Sequence, residues 1–378
     1  MSTIVGASAQ IIQRASSSRL NTSYGASAAS RPHVMVRLTD DGGHHGFGEA
    51  SPLPAFTGET AESILVQLQH QFLPPLIGHS PFDVASIHQK LDRLTDNSSA
   101  KAAIDIALYD LMGVQTGLTV TQLLGGAVRS DVPVTFPLGI DDIGVTVSAA
   151  ETQVARGIRT LKMKIGWDPD ADVARVKAVR DAVGPDIAIR IDANQGYDVP
   201  SACRIVSRLG DVGIEYVEQP VAEWDFSGLA AVRRSTGIRV MADESLHTLR
   251  DAQRLIEQEA ADIFAIKLIK TSGLTQARHI CALAVAHRID VVVISPFETQ
   301  IGAAAGLALA LSVPTGTRAH ELRVFDSQSD MAETAIRCEQ GRISASDAPG
   351  LGVTSISEFE GLEWPELSGV AWGDHAVV

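Results

Sequence analysis

Hydrophobic and polar residues follow two different rhythms along this chain. In the first third, IVGASAQIIQ (Ile4 to Gln13) and HVMVRLTDDGGHHGFGEA (His33 to Ala50) alternate as strands do, the second run folding back at a turn over Asp40 to Gly43. GETAESILVQLQHQFLPPLI and SPFDVASIHQKLDRL then carry apolar residues at helical spacing. SSAKAAIDIALYDLMGVQTG places Ala, Ile and Leu on one helical face, with Ser99 as the expected N-cap. Strands followed by helices predict an α+β domain.

From about Val132 the rhythm changes to short apolar runs separated by amphipathic helices. Eight strands are predicted: Val134–Gly139, Thr160–Ile165, Ile187–Asp192, Ile214–Glu218, Arg239–Asp243, Ile263–Lys267, Asp290–Ile294 and Arg318–Leu322. Segments such as DADVARVKAVRDAVG, TLRDAQRLIEQ and LTQARHICALAVAHR lie between them. This strand–helix alternation is the mark of a parallel sheet, and eight units predict an α/β fold of the closed (β/α)8 type. No glycine-rich fingerprint follows a strand, which argues against a dinucleotide fold. The predicted organisation is an α+β domain over 1–128, a barrel over 129–325, and a segment over 326–378 that returns to the first domain.

Charged residues stand where a barrel needs them for chemistry. Asp192, Glu218 and Asp243 end the third, fourth and fifth predicted strands, 26 and 25 residues apart. Strand ends converge on one mouth of a barrel. Three neighbouring carboxylates there repel one another and call for a cation; a hard divalent ion with oxygen ligands, Mg2+ above all, suits them. The competing reading has each acid capping the helix that follows it. Lys162 and Lys164 sit two apart, so they share a strand face, and the apolar neighbours Leu161, Met163 and Ile165 argue that the strand is buried. Lys267 ends the sixth strand, across the mouth. Two such lysines form a candidate acid–base pair; Lys270 is expected just outside the strand, in the following loop or helix start.

With 378 residues, 45% hydrophobic content and a net charge of −14, the chain can bury a large core and is poorly suited to nucleic acid or anionic membrane as a main partner. No apolar run reaches the length of a membrane span. MSTIVGASAQIIQR shows no basic region followed by an apolar core, so no signal peptide is expected. Cys203, Cys281 and Cys338 are odd in number and far apart, which suits free thiols. A cytoplasmic protein is the expectation.

The ordered set GEASPLPAFTGET, AAIDIALYDLMG, QLLGG, LKMKIG, IDANQGY, VEQP, ADES, IKLIKTSGL and FETQIG resembles the enolase superfamily over nearly the whole length. Within it, the match is to the muconate lactonizing enzyme subgroup of the mandelate racemase/muconate lactonizing enzyme family. The resemblance implies an α+β capping domain over a modified barrel, and Mg2+ on Asp192, Glu218 and Asp243. It also implies acid–base roles for Lys164 and Lys267, Lys162 near the substrate carboxylate, and Asn194 and Glu244 as supports of the ligands. Such a site removes a proton α to a carboxylate through an enediolate. Racemisation or epimerisation of an amino-acid-like carboxylate is the first expectation. Cycloisomerisation or dehydration on the same residues is the second, and a Schiff-base aldolase using Lys267 a remote third. Oligomers are implied by resemblance alone.

Specificity is expected from the loops Ser16 to Gly25 and Pro54 to Glu59, where Tyr24 and Phe56 either meet substrate or serve as anchors. Glu298 is expected to end the seventh strand, where it touches substrate or bonds to Lys267. The eighth strand, RAHELRVFD, departs from the Asp-x-Asp of dipeptide epimerases and shares only Glu321 and Leu322 with muconate cycloisomerases. His320, Glu321 and Arg323 are candidates there, and strand alternation lets only one face point inward.

Overall fold

The computed structural model describes residues 2–15, 20–26, 28, 30–295, 297–322 and 336–353. Eight parallel strands run in chain order: Thr135–Leu138, Thr160–Lys164, Ala188–Asp192, Ile214–Glu218, Val240–Ala242, Ile263–Ile266, Asp290–Ser295 and Glu321–Leu322. The first and last meet through a bridge between Val134 and His320, with the Thr135 N–H donating to His320 O at 2.9 Å, so the sheet closes into a barrel. All eight lie within a residue or two of the predicted strands, except that the last contributes just Glu321–Leu322 as strand proper.

The apolar periodicity of the intervening helices is explained by what they cover. Leu229 and Val232 of Phe226–Thr236, and Ala252 and Leu255 of Leu249–Glu257, pack with outward-facing Ile189, Ile191 and Val240 in one continuous core. A second, smaller core fills the barrel's interior with Tyr216, Met241, Ile263, Ala265, Val292 and Ile294. Beneath the mouth Arg190 is fully buried, bonded to Glu215 at 2.7 Å and to Ala319 O, with its guanidinium 4.8 Å from the Tyr216 ring centroid. A buried guanidinium persists when it is paired in this way.

The first domain is an antiparallel sheet of Ile4–Ala15, Ser30–Asp40 and His45–Ala50 against the long helix Ser98–Thr116. Its turn is held by Asp40 Oδ1, which accepts from the N–H groups of Gly42 and His44. The predicted N-cap Ser99 lies inside the helix instead. Asn97 precedes it with φ 56°, and Glu59 caps the helix from another segment, accepting from Ser99 N at 2.9 Å and Ala100 N at 3.3 Å. A carboxylate at a helix N-terminus also meets the positive end of its dipole.

Ile336–Glu339 and Arg342–Ala345 form a hairpin that pairs with Val132–Pro133, and the chain then reaches the first domain, where Gly350 bridges Thr119 and Leu351 N donates to Asp110 at 2.8 Å. Arg323 lies outside the described residues. Among the described residues no helix is long and apolar enough to cross a membrane, and Cys203, Cys281 and Cys338 are free thiols.

Gly48 sets the approach of sheet to helix: a Cβ built there would stand 1.8 Å from Ala103 O of the long helix. Neither rigid element can yield that much. Gly48→Ala is therefore expected to destabilise the protein by about 3 kcal/mol, at the upper end for overpacking, as read from the guanidinium unfolding midpoint.

Candidate active site

The strand register places the charged residues together. Lys164 pairs in register with Asp192, and Asp192 with Glu218, on three consecutive strands. Alternation turns Lys162 and Lys164 inward from one strand, while Leu161 and Met163 join the outer core. Asp192, Glu218 and Asp243 are completely buried.

The two readings of these acids are separated by the helix caps. The helix after Asp192 is capped by Asp198, which accepts from Ser201 N; the one after Glu218 by Asp225, from Gly228 N; the one after Asp243 by Thr248, from Asp251 N. None of the three barrel acids serves as a cap, so their burial needs another cause.

Ammonium groups surround them. Lys162 Nζ stands 2.9 Å from Asp192 Oδ2, 2.7 Å from Glu218 Oε2 and 2.7 Å from Glu321 Oε2. Lys164 Nζ is 2.5 Å from Asp192 Oδ2 and 2.8 Å from Asn194 Oδ1. Lys267 bonds Asp243 Oδ2, and Lys270 bonds Asp243 Oδ1 at 2.6 Å. Burial pushes the Asp192 carboxyl up, but Lys162 and Lys164 outweigh it and hold it well below the usual carboxylate range. Asp243 shows the same contest, won by Lys267 and Lys270. Glu218 goes the other way: burial, reinforced by Asp192, raises it well above the ordinary glutamate value. Burial opposes the charged form of Lys162 and Lys267, yet their acid partners keep both above the ordinary lysine value. For Lys270 burial prevails, aided by Lys267, and its value falls.

Among the described residues no three acids stand as a formed metal cage; lysine ammonium groups neutralise them instead. The donor set nevertheless fits a hard divalent ion. It consists of three fully buried carboxylates on adjacent strands, and the buried Glu218 Oε2 has no well-aligned hydrogen bond despite its closeness to Lys162. Oxygen-only donors of this kind select Mg2+ or Ca2+ over softer metals.

The capping domain closes the mouth. A cavity of about 270 Å³ is lined by Lys162, Lys164, Lys267, Asn194 and Glu321 from the barrel, and by Tyr24, Arg31 and Phe56 from the first domain. Both expected aromatics are therefore at the site. Phe56 lies 3.8 Å beneath the Lys267 ammonium and meets the Tyr24 ring edge-on at 5.9 Å. Tyr24 donates to Glu244 Oε1 at 2.7 Å, and Asn194 Nδ2 donates to the same oxygen at 3.1 Å. Burial, then Asp243, raises Glu244 to about 7.

Glu298 does not line the cavity. It follows the seventh strand by three residues, and its carboxylate turns back to Ser295 Oγ at 2.8 Å and Phe297 N at 3.1 Å rather than to Lys267. His320 also faces away: Val293 N donates to its Nδ1, and burial lowers it to about 3. Glu321 is the inward member of that pair. Sequence reasoning missed Gln195, which donates to Tyr24 Oη at 2.6 Å; Lys270 lies in the turn after the sixth strand as expected, but the reach of its side chain back to Asp243 was not foreseen. The polar run after the third strand hints at Gln195; nothing local marks the reach of Lys270.

Comparison with known proteins agrees with this architecture. Residues 8–125 match the mandelate racemase/muconate lactonizing enzyme N-terminal domain, and 145–358 an enolase C-terminal domain-like model. An N-succinyl-L-Arg/Lys racemase of Bacillus cereus is 34% identical over 88% of this chain and 89% of its own. A dipeptide epimerase from Enterococcus faecalis, solved with Mg and L-Leu-L-Tyr, superposes with a TM-score of 0.89 at 33% identity over 93% of this chain and all of its own (100%). A muconate lactonizing enzyme from Pseudomonas fluorescens, solved with muconolactone, gives 0.90 at 29% identity over 94% and 98%. The chain belongs to the mandelate racemase/muconate lactonizing enzyme family of the enolase superfamily, and so to a group of isomerases built on this capped barrel.

Proposed function

We propose that this protein interconverts the configurations at the α-carbon of an amino-acid-derived carboxylate, with Lys164 and Lys267 as the two proton-transfer groups. The observation that carries the reading is their placement. Lys164 ends the second of eight barrel strands and Lys267 directly follows the sixth, hence on opposite sides of the ring, and both line one capped cavity above three buried acids. A proton removed by one lysine and returned by the other inverts the carbon between them. Relatives named as racemases and epimerases, and neighbours solved with Mg and dipeptides, support it.

Asp192, Glu218 and Asp243 would hold the divalent ion. When bound, the ion supplies positive charge that stabilises the negative charge accumulating on the substrate carboxylate. Lys162, between Glu218 and Glu321, is placed to meet that carboxylate. Asn194 fixes Lys164 on one side and Glu244 on the other. Phe56 and Tyr24 cover Lys267 and exclude water from the proton-transfer step. A Schiff-base role for Lys267 is disfavoured because that chemistry makes no use of the three buried carboxylates beside it.

A cycloisomerase reading is favoured by one observation: Glu321 and Leu322, the pair shared with muconate cycloisomerases, both line the cavity. Incubation in D2O with N-acyl amino acids, dipeptides and cis,cis-muconate separates the two. Deuterium uptake at the α-carbon with inversion is expected; lactone formation from muconate without such uptake would replace the first reading by the second.

The ion's role has its own test. EDTA is expected to abolish exchange and Mg2+ to restore it, with a dissociation constant measurable by calorimetry. Asp192→Asn should weaken Mg2+ binding by roughly tenfold or more and lower turnover by about 100-fold or more. Full activity after exhaustive chelation contradicts the assignment.

A further inference from the structure

Behind the sixth strand the two domains meet through a buried chain of three side chains, His88, Asp105 and Thr275, none of which lines the cavity. Lys267 directly follows the strand Ile263–Ile266, and its carbonyl anchors the turn that comes next. Lys270 N and Thr271 N donate to it at 2.9 and 3.1 Å, and Thr271 Oγ1 at 3.3 Å. The turn ends at Gly273, where the helix Leu274–Ala286 begins with no side chain at its N-cap. The cap comes from the first domain instead. Asp105, on the long helix Ser98–Thr116, accepts from Thr275 N at 3.0 Å and from Thr275 Oγ1 at 2.6 Å. Gly273 is required for that approach: its φ is 99°, and a Cβ built there would stand 2.5 Å from Asp105 Oδ2. On its other side Asp105 Oδ1 lies 2.6 Å from His88 Nε2, and both residues are buried. A buried carboxylate so placed fixes the start of the helix by hydrogen bonds and by the helix dipole together. The turn after Lys267 is therefore held at both ends, by the sixth strand before it and by Asp105 after it.

We propose that Asp105 is a positioning residue for Lys267, acting from the first domain through Thr275 and the turn. The inference rests on the α-proton-transfer reading above. Lys164 has no share in this arrangement: it ends the second strand, across the ring, and is held by Asp192 and Asn194. A displacement of about 1 Å at a reacting group costs on the order of 100-fold in rate. Loosening the chain of side chains therefore penalises the half-reaction that Lys267 serves and spares the one that Lys164 serves. A second carboxylate gives the matched comparison. Glu49 caps the next helix, Gln300–Ser312, accepting from Thr299 N, Thr299 Oγ1 and Gly302 N, and His33 Nδ1 stands 2.7 Å from it. It joins the domains in the same manner, but the helix it caps follows the seventh strand, which carries neither lysine.

The test uses N-acetyl amino acids and alanyl dipeptides, each epimer supplied separately, with α-deuterium uptake followed in D2O with Mg2+. The natural protein is compared with Asp105→Asn, Thr275→Val, Thr275→Ser and Glu49→Gln; Lys267→Ala identifies the epimer that Lys267 serves as the one whose uptake it loses. Asp105→Asn is expected to lower kcat for that epimer by roughly 10- to 100-fold with KM little changed, and to leave uptake from the other epimer close to natural. Thr275→Val should show the same bias in smaller measure, and Thr275→Ser, which keeps the hydroxyl, should remove it. Glu49→Gln should lower the thermal unfolding midpoint as Asp105→Asn does, yet without a bias between epimers. Equal losses from both epimers in Asp105→Asn and Thr275→Val, or a bias of the same size in Glu49→Gln, overturn the role of Asp105 while leaving α-proton transfer intact. Where Asp105→Asn does not fold, the two Thr275 variants decide by the same criterion. No uptake from any compound by the natural protein overturns the α-proton-transfer reading itself, and the inference with it.

Discussion

Three carboxylates sealed in a barrel mouth must be neutralised, and most of the surrounding structure answers that demand. Their mutual repulsion in a poorly solvated space is large enough that, without compensation, they would take up protons. Glu218 shows the consequence where compensation falls short: burial and Asp192 drive it towards its neutral form. Asp192 and Asp243 escape it because two ammonium groups converge on each. Lys162 and Lys267 are in turn buried without loss of charge because the acids are there. Neither set could be removed alone without leaving an uncompensated buried charge, a costly arrangement. An ion bound to the acids would relieve the lysines of that task, and the same groups then become available for proton transfer.

Much of this was legible in the sequence because it is local and periodic. Strand ends recur at βα-unit intervals, so Asp192, Glu218 and Asp243 could be aligned before any coordinates, and the two-residue spacing of Lys162 and Lys164 fixed their common face. Contacts between segments far apart in the chain were not legible. The cap of the long helix comes from Glu59, about 40 residues upstream of Ser99, so local capping rules pointed to the wrong residue. Glu298 looked like a site residue from its position after a strand, but the backbone there lets its carboxylate bond its own loop. For His320 and Glu321 the sequence offered both faces, and closure of the barrel chose between them: His320 sits in the seam with the seventh strand, leaving Glu321 to face the cavity.

The division of labour between the domains follows from the same physics. Barrel residues carry the fixed charges, held by strands that cannot move without breaking the sheet. The first domain adds what covers them: the Tyr24–Phe56 edge contact beside Lys267, the Tyr24 bond to Glu244, and the Arg31–Phe297 stack. Function on this fold resides in the site rather than in the barrel. On the proposed reading, the capping segments would decide which carboxylate reaches a mouth whose lysines are already in place.

The most direct test of the two-lysine account is stereochemical. Lys164→Ala and Lys267→Ala are each incubated in D2O with both enantiomers of a substrate, and α-deuterium uptake is followed for each. Racemisation should fall by about 10³-fold in both variants, while each variant retains uptake from one enantiomer only, the opposite one in the two cases. Loss of exchange with both enantiomers in one variant, and retention of racemisation in the other, would show a single base and contradict the account.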